Sequence, residues 1–284
     1  MTARWGLVLL PPFIFSFFLV AASQSVFLEM SFFKDLGLGR KGEDFVFDNY
    51  TRFLTDSFYL WALWTTVKTS ALAALFTLVL GFPVAYLIAR MRSRWAMVLI
   101  AGIVVATFVT IVIKVYGLIV IFSANGLLNK TLMGLGILSQ PFTIFGNVTG
   151  VVVGLMHFTL GFGVLLLYSV IQTIPRSLED AAAIHGASRW RVYWRVIFPL
   201  ALPGVTVGAL MIFNMSMGAF TSAALLGGGR VFTLPVLVQR VVMMELKFSM
   251  GATLAAILLV SVIAINLLSI FILRRMKAAH LVVV

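Results

Sequence analysis

Apolar residues along the chain gather in runs too long for a globular core. Crossing about 30 Å of hydrocarbon takes about 20 helical residues. Six runs reach that length: roughly Trp5–Val26, Leu60–Ala89, Trp95–Phe122, Val148–Ile171, Pro203–Leu225 and Gly251–Leu273. They do not alternate apolar and polar residues in segments of about ten, as barrel strands would. The pattern predicts an all-α membrane protein with six transmembrane helices. Residues 1–284 form a single transmembrane domain, with a first helix at about 5–26 and a core unit at about 60–273. Between the runs, residues 27–59 read as a polar loop with aromatics, and residues 172–202 as a long loop carrying both charges and aromatics.

The first run admits two readings. Arg4, the apolar stretch and Ala21-Ala22-Ser23 loosely fit a cleaved signal peptide. A retained helix gives an even number of spans with both termini on one side, and is the expectation carried forward.

Basic residues orient the bundle. Arg4, Arg90, Arg92, Arg94, Arg176, Arg189, Arg191, Arg195, Arg274, Arg275 and Lys277 fall on one face, mostly in short links. Lys34, Arg40, Lys41, Arg52, Lys130, Arg230, Arg240 and Lys247 are spread through the opposite loops with most of the acids. Short basic links stay cytoplasmic. The expected orientation is multi-pass with cytoplasmic N- and C-termini. Lys68 and Lys114 lie within runs, and Lys68 is read as snorkelling to the interface.

Composition narrows the chemistry. With 62% hydrophobic and 11% charged residues, a soluble particle would lack polar surface. The lack of cysteine removes disulfides, thiolate metal sites, iron–sulfur clusters and cysteine nucleophiles. A net charge of +12 would suit nucleic acid, but the basic residues flank apolar runs, where they set topology and meet anionic lipid. Neither a metal site nor a nucleic-acid partner is expected. No GxxxxGK[ST] phosphate loop is present, so the chain does not bind ATP in the usual way. His157 stands alone in the fourth run, and no catalytic constellation is evident.

The strongest local signal is Pro175 to Pro199. Pro175 stops the preceding helix. Ser177 reads as an N-cap with Asp180 as its box partner. Ala181-Ala182-Ala183 follow, and Gly186 can end the helix at positive φ. A second short helix holds Trp190, Val192, Tyr193 and Trp194 among three arginines, and Pro199 closes it. Two short surface helices with a small-residue knuckle admit two readings. They could rest on lipid, or they could admit a partner's groove close to the backbone.

This segment resembles the EAA loop of ABC-importer permeases: Glu-Ala-Ala, three residues, Gly, nine residues, Ile, one residue, Leu-Pro. Here Asp180-Ala181-Ala182, Gly186, Val196, Phe198 and Pro199 keep the spacing, with Asp, Val and Phe as departures. The resemblance implies a type I ABC importer permease fold with a cytoplasmic coupling helix at 172–202. Asp180, Ala181, Ala182, His185, Gly186, Ala187, Arg189, Trp190 and Pro199 would then meet a separate ATPase. Weaker pieces resemble spermidine/putrescine-type permeases in their order: Asp48-Asn49-Tyr50-Thr51-Arg52-Phe53, Gly81-Phe82-Pro83-Val84-Ala85-Tyr86, Ile113-Lys114-Val115-Tyr116-Gly117, Asn125-Gly126-Leu127-Leu128-Asn129 and Gly218-Ala219-Phe220 with Leu225 to Gly229. The implied function is ATP-driven import of a small solute, a polyamine before an opine, phosphonate, amino-acid-like compound or ferric iron. The implied partners are a dimer of ATPase subunits, a second permease chain of the same family (usually a different one), a periplasmic solute-binding protein and the bilayer. ATP and Mg would be held by the ATPase, and this chain would bind no cofactor.

Within the fifth run, Asn214, Gly218 and Thr221 are spaced to share a helix face. They can line a path, or only bond between helices. Tyr116 and Phe220 offer aromatic faces to a cation. Lys114 reads as an outer-gate residue or as a structural one. No carboxylate lies inside any of the six runs. Gly150/Gly154 and Gly204/Gly208 predict close helix packing. Gly227 to Gly229 read as a gate-side loop or a simple reverse loop, and Pro83 as a kink. The rival class is an ion-coupled secondary transporter, which would want intramembrane acids or broken-helix ion sites. A channel subunit is a further alternative.

Overall fold

The computed structural model describes residues 2–37 and 40–281, with side chains over 9–37 and 40–271. Arg4, Arg274, Arg275, Lys277 and His280 therefore lie outside the described side chains. The elements in chain order are α1 (Thr2–Met30), β1 (Phe33–Asp35), β2 (Lys41–Phe45), α2 (Asp48–Thr55), α3 (Ser57–Arg90), α4 (Trp95–Phe108) and α5 (Ile111–Phe122). They continue with α6 (Leu127–Gly134), α7 (Val148–Gln172), α8 (Ser177–Ile184), α9 (Arg189–Val192), a π-helical turn (Tyr193–Ile197), α10 (Phe198–Met217), α11 (Thr221–Gly227), α12 (Leu234–Met243) and α13 (Phe248–Leu281).

Six stretches among the described residues are long and apolar enough to cross a membrane: Leu9–Met30, Ser57–Arg90, Ile111–Gly134, Val148–Gln172, Arg189–Met217 and Phe248–Phe271. Two differ from the sequence expectation. The third expected span, Trp95–Phe122, is broken: Val109 and Thr110 are extended, with ψ of 134° and 139°. The 14 residues of α4 reach only about 21 Å at 1.5 Å per residue, so α5 and α6 carry the crossing length instead. The fifth run is broken as well, because α10 ends at Met217 and α11 begins at Thr221.

The chain forms two compact units, Met1–Leu63 with Leu234–Val284, and Trp64–Thr233. In the first, α13 packs against α12, α1, α2 and β1. The expected polar loop 27–59 folds into an antiparallel hairpin and α2. Asp35 accepts the Ser249 and Met250 N–H groups at 3.1 and 2.8 Å, covering donors that a helix start leaves unpaired. Asn49 is buried and donates to the Ser31 and Phe33 carbonyls.

In the second unit α7 is central, with α4, α5, α10 and α11 packed around it. Its glycines make this possible. A Cβ on Gly154 would strike Leu226 of α11, one on Gly204 of α10 would strike Val170 of α7, and one on Gly208 would lie 2.8 Å from Leu166. Gly154, Gly204 and Gly208 thus permit close helix approach, while a Cβ on Gly150 would strike the Ile144 carbonyl of the segment leading into α7. Toward one end of the unit, Phe82, Ala85 and Ile88 of α3, Leu167 and Ile171 of α7, and Val192, Ile197 and Ala201 form one buried cluster. That cluster is the floor on which the 172–202 loop sits.

Candidate functional site

The site is built by the loop between α7 and α10. α8 does not start with a side-chain cap. Arg176 occupies the cap position in helical conformation, and Ser177 is the first helical residue, so the expected Ser177–Asp180 box does not form. The cap appears one helix later, where the Ser188 hydroxyl accepts the Arg191 N–H at 3.4 Å. Gly186 has φ +76°, as the knuckle requires, and a Cβ there would meet nothing within 4 Å. Its freedom serves backbone direction alone. Pro199 does not close a helix. It sits in the first turn of α10, immediately after the π turn, and the helix runs on through it.

The loop has an inner and an outer side. Ala182 and Ala187 are half-buried against the cluster beneath, and so fix the loop to its own bundle. Asp180, Ala181, His185, Gly186, Arg189 and Trp190 are exposed. Ile184, which sequence reasoning did not single out, is 84% exposed, and Trp190 is 71% exposed. The knuckle thus exposes two large apolar side chains on either side of its glycine in the chain.

A groove of about 1130 Å³ runs from this loop along α3, with Phe82, Tyr86, Trp190, Tyr193, Trp194 and Phe198 in its walls. The rings interlock: Trp190 stacks on Tyr193 with centroids 5.8 Å apart, and Tyr86 meets Tyr193 edge-on at 5.1 Å. At one end Arg90 pairs with Glu179, Nε facing Oε1 as an ion pair rather than as an aligned hydrogen bond. Tyr86 donates to the other Glu179 oxygen at 3.1 Å. The paired carboxylate is thus Glu179, while its neighbour Asp180 is exposed. A single sequence signals this only through the adjacency of the two acids.

The expected path residues sit elsewhere in the unit. Asn214 is half-buried near the end of α10, and its carbonyl accepts the Gly218 N–H at 3.4 Å. Thr221 opens a separate helix, so the shared-face spacing does not extend to it. Gly218, Phe220 and Tyr116 are exposed, Tyr116 on α5. Lys114 donates from Nζ to the Thr107 carbonyl at 3.3 Å, across the α4–α5 break. It thereby supplies one of the carbonyls that the end of α4 leaves without a partner.

A family of binding-protein-dependent transport system inner membrane components matches residues 78–278, well over half of the chain. The chain belongs to this family. The permease is 33% identical over 199 residues to the spermidine/putrescine transport system permease protein PotB of Haemophilus influenzae, covering 68% of this chain and 69% of that one. It is 34% identical over 186 residues to PotB of Escherichia coli, covering 66% and 67%. A more distant relative, the molybdenum transport system permease protein ModB of Mycobacterium tuberculosis, is 29% identical over 209 residues, covering 74% and 77%. Among solved structures, a bacterial ABC transporter involved in import of the acidic polysaccharide alginate covers 96% of both chains at TM-score 0.78 and 18% identity. The inward-facing MetNI methionine ABC transporter covers 78% of this chain and 99% of that one at TM-score 0.61 and 18% identity. The fold is the type I ABC importer permease fold, and the protein is a multi-pass membrane permease, a transport subunit rather than an enzyme. Its family acts with a binding protein, so the general kind of partner follows from membership.

Proposed function

We propose that this permease carries a polyamine of the spermidine or putrescine class across a bacterial inner membrane. A periplasmic binding protein delivers the solute, and a dimer of ATPase subunits drives the step. The two PotB relatives favour this solute over the molybdenum relative by identity. The fold itself is neutral, since its solved neighbours import a polysaccharide and an amino acid. Both termini and the 172–202 loop face the cytoplasm. A second permease chain of a different sequence completes the path.

The observation that carries the proposal is the tip at Ile184, Gly186 and Trp190: apolar, exposed and set on a rigid floor. Asp180, Ala181, His185, Gly186, Arg189 and Trp190 meet the ATPase, which supplies ATP and Mg, and this chain holds no cofactor. Ala182, Ala187 and Pro199 hold the loop in shape. Asn214, Gly218, Phe220, Thr221 and Tyr116 line the path, and Lys114 stands at its outer gate. A cation crossing there meets aromatic faces and backbone dipoles, which hold it weakly and let it leave. Selection rests with the binding protein.

The test is uptake of labelled putrescine or spermidine into proteoliposomes holding the whole complex, together with titration of candidate solutes against the cognate binding protein. ATP-dependent polyamine uptake is expected. Uptake that persists without the ATPase would favour an ion-coupled transporter. Uptake of molybdate or a sugar acid alone would remove the polyamine assignment.

A further inference from the structure

We propose that Arg90 and Glu179 are positioning residues that clasp α8 to the end of α3, so that a push on the knuckle moves α3 and α8 as one body. This rests on the importer reading above. α8 has eight residues and none of them is buried. A helix that short is not stable alone, so something outside it must hold its position. Beside the packing of Ala182 on the cluster beneath, four side-chain links do so, each joining the α3 end to the segment 174–179. Arg90 pairs with Glu179 through Nε, and Arg90 Nη2 donates to the Ile174 carbonyl at 3.1 Å. Arg176 Nη2 reaches back to the Ala89 carbonyl at 3.1 Å. The Tyr86 hydroxyl donates to Glu179 Oε2 at 3.1 Å.

Tyr86 and Arg90 are one turn apart on α3, so both grips on Glu179 come from one helix face. The two charged side chains are only 14% and 17% exposed, so water and salt screen the pair weakly. Arg90 uses two nitrogens of one planar group at once, a geometry that a lysine ammonium does not reproduce. Arg176 and Arg90 also satisfy carbonyls that the helix end and the following loop would leave unpaired.

The other connection from the knuckle runs through the backbone, along α9, the π turn and α10. A π turn is a rare geometry, frequent at functional sites, and its wider winding interrupts the regular helical bonding there. The clasp bypasses it. Motion delivered at Gly186 reaches α3 directly by way of Glu179, while the π turn leaves α10 room to adjust.

The experiment compares ATP hydrolysed per solute imported, in proteoliposomes holding the complete complex. Arg90→Ala and Glu179→Gln are expected to keep ATP hydrolysis while raising the ATP-to-solute ratio about tenfold, a usual size for a lost coupling between two sites. Arg90→Lys should recover little, and the exchange of Arg90→Glu with Glu179→Arg should recover part of the coupling. An unchanged ratio in assembled Arg90→Ala and Glu179→Gln complexes overturns the proposal.

A second measurement stands if those variants do not assemble. The chain has no cysteine, so Leu87→Cys and Ala183→Cys place two spin labels, one on α3 and one on α8, with Arg90 and Glu179 intact. The label-to-label distance is expected to stay the same between nucleotide-free and ATP-bound complexes. A shift between the two states overturns the clasp. Uptake by the otherwise native chain in the same preparations reports on the importer reading separately: its failure counts against that reading, while the label distance still decides the clasp.

Discussion

The hydroxyls of Thr77 on α3 and Thr159 on α7 lie 2.8 Å apart, both fully buried, where the two helices cross. Gly163, one turn further along α7, brings its backbone to the same place. A Cβ on it would lie 2.6 Å from Thr77 Cγ2 and 3.2 Å from Ile212 Cδ1 of α10. Three helices therefore meet around one hydrogen bond and one missing side chain. The missing side chain matters more. Thr159 also bonds its own Leu155 carbonyl at 3.0 Å, so Thr77→Val leaves it satisfied. Interhelical hydrogen bonds in membranes average about 0.6 kcal/mol, whereas overpacking a tight core costs about 1–3 kcal/mol. Gly163→Val is expected to lower the thermal midpoint of the detergent-purified complex clearly more than Thr77→Val does.

Asn129 is fully buried and pins the segment before α7. Its amide donates to the Ser123 and Phe142 carbonyls, each at 2.7 Å, and its oxygen accepts the Phe142 N–H at 2.8 Å. Asn129→Ala leaves three backbone groups without these partners, at about 1–3 kcal/mol for each that stays dry. Asn129→Asp keeps the acceptor but loses both donors, so it should be nearly as damaging. Limited proteolysis between residues 123 and 142 should accelerate in both variants.

Asp35 caps α13 from a hairpin more than two hundred residues earlier in the chain. Loss of a helix cap costs about 0.5–2 kcal/mol. Asp35→Ala should raise amide hydrogen exchange at Ser249 and Met250. Asp35→Asn, which keeps an acceptor, should raise it less.

The inner and outer sides of the 172–202 loop make opposite predictions. Gly186→Glu meets no neighbour but takes on the backbone strain of a positive φ, about 1–2 kcal/mol, so the permease should remain in the membrane near the native level while uptake is lost, and Gly186→Ala, which carries the same strain without the charge, should keep more uptake. Ala182→Glu forces a charge toward the buried cluster. It should lower the amount of folded permease as well as uptake, which an immunoblot of membrane fractions separates.

Much of this was legible in the chain itself, for identifiable reasons. The span Val148–Ile171 is flanked by Asn147 and a polar loop, and the helix found is Val148–Gln172, with Asn147 as a true cap accepting from Gly150. The Gly186 knuckle was legible because a positive φ leaves few residue choices. The breaks at Val109–Thr110 and at Gly218–Phe220 were not, since apolar residues continue through both and hydropathy is blind to backbone direction. Nor was the Arg90–Glu179 pair, which joins segments far apart in the chain through side chains alone. The hairpin at 33–45 has strands of only three and five residues, too short for alternation to be read. The inward turn of Ala182 was not legible either, because the cluster it meets is assembled from α3 and α7, which lie apart from each other in the chain.

The most direct test is a single cysteine, Ile184→Cys, in a chain that has no other. The account predicts that this thiol crosslinks to the ATPase subunit in the assembled complex and resists a membrane-impermeant maleimide added to intact spheroplasts. Labelling from the outside, or crosslinking to nothing but lipid, would contradict it.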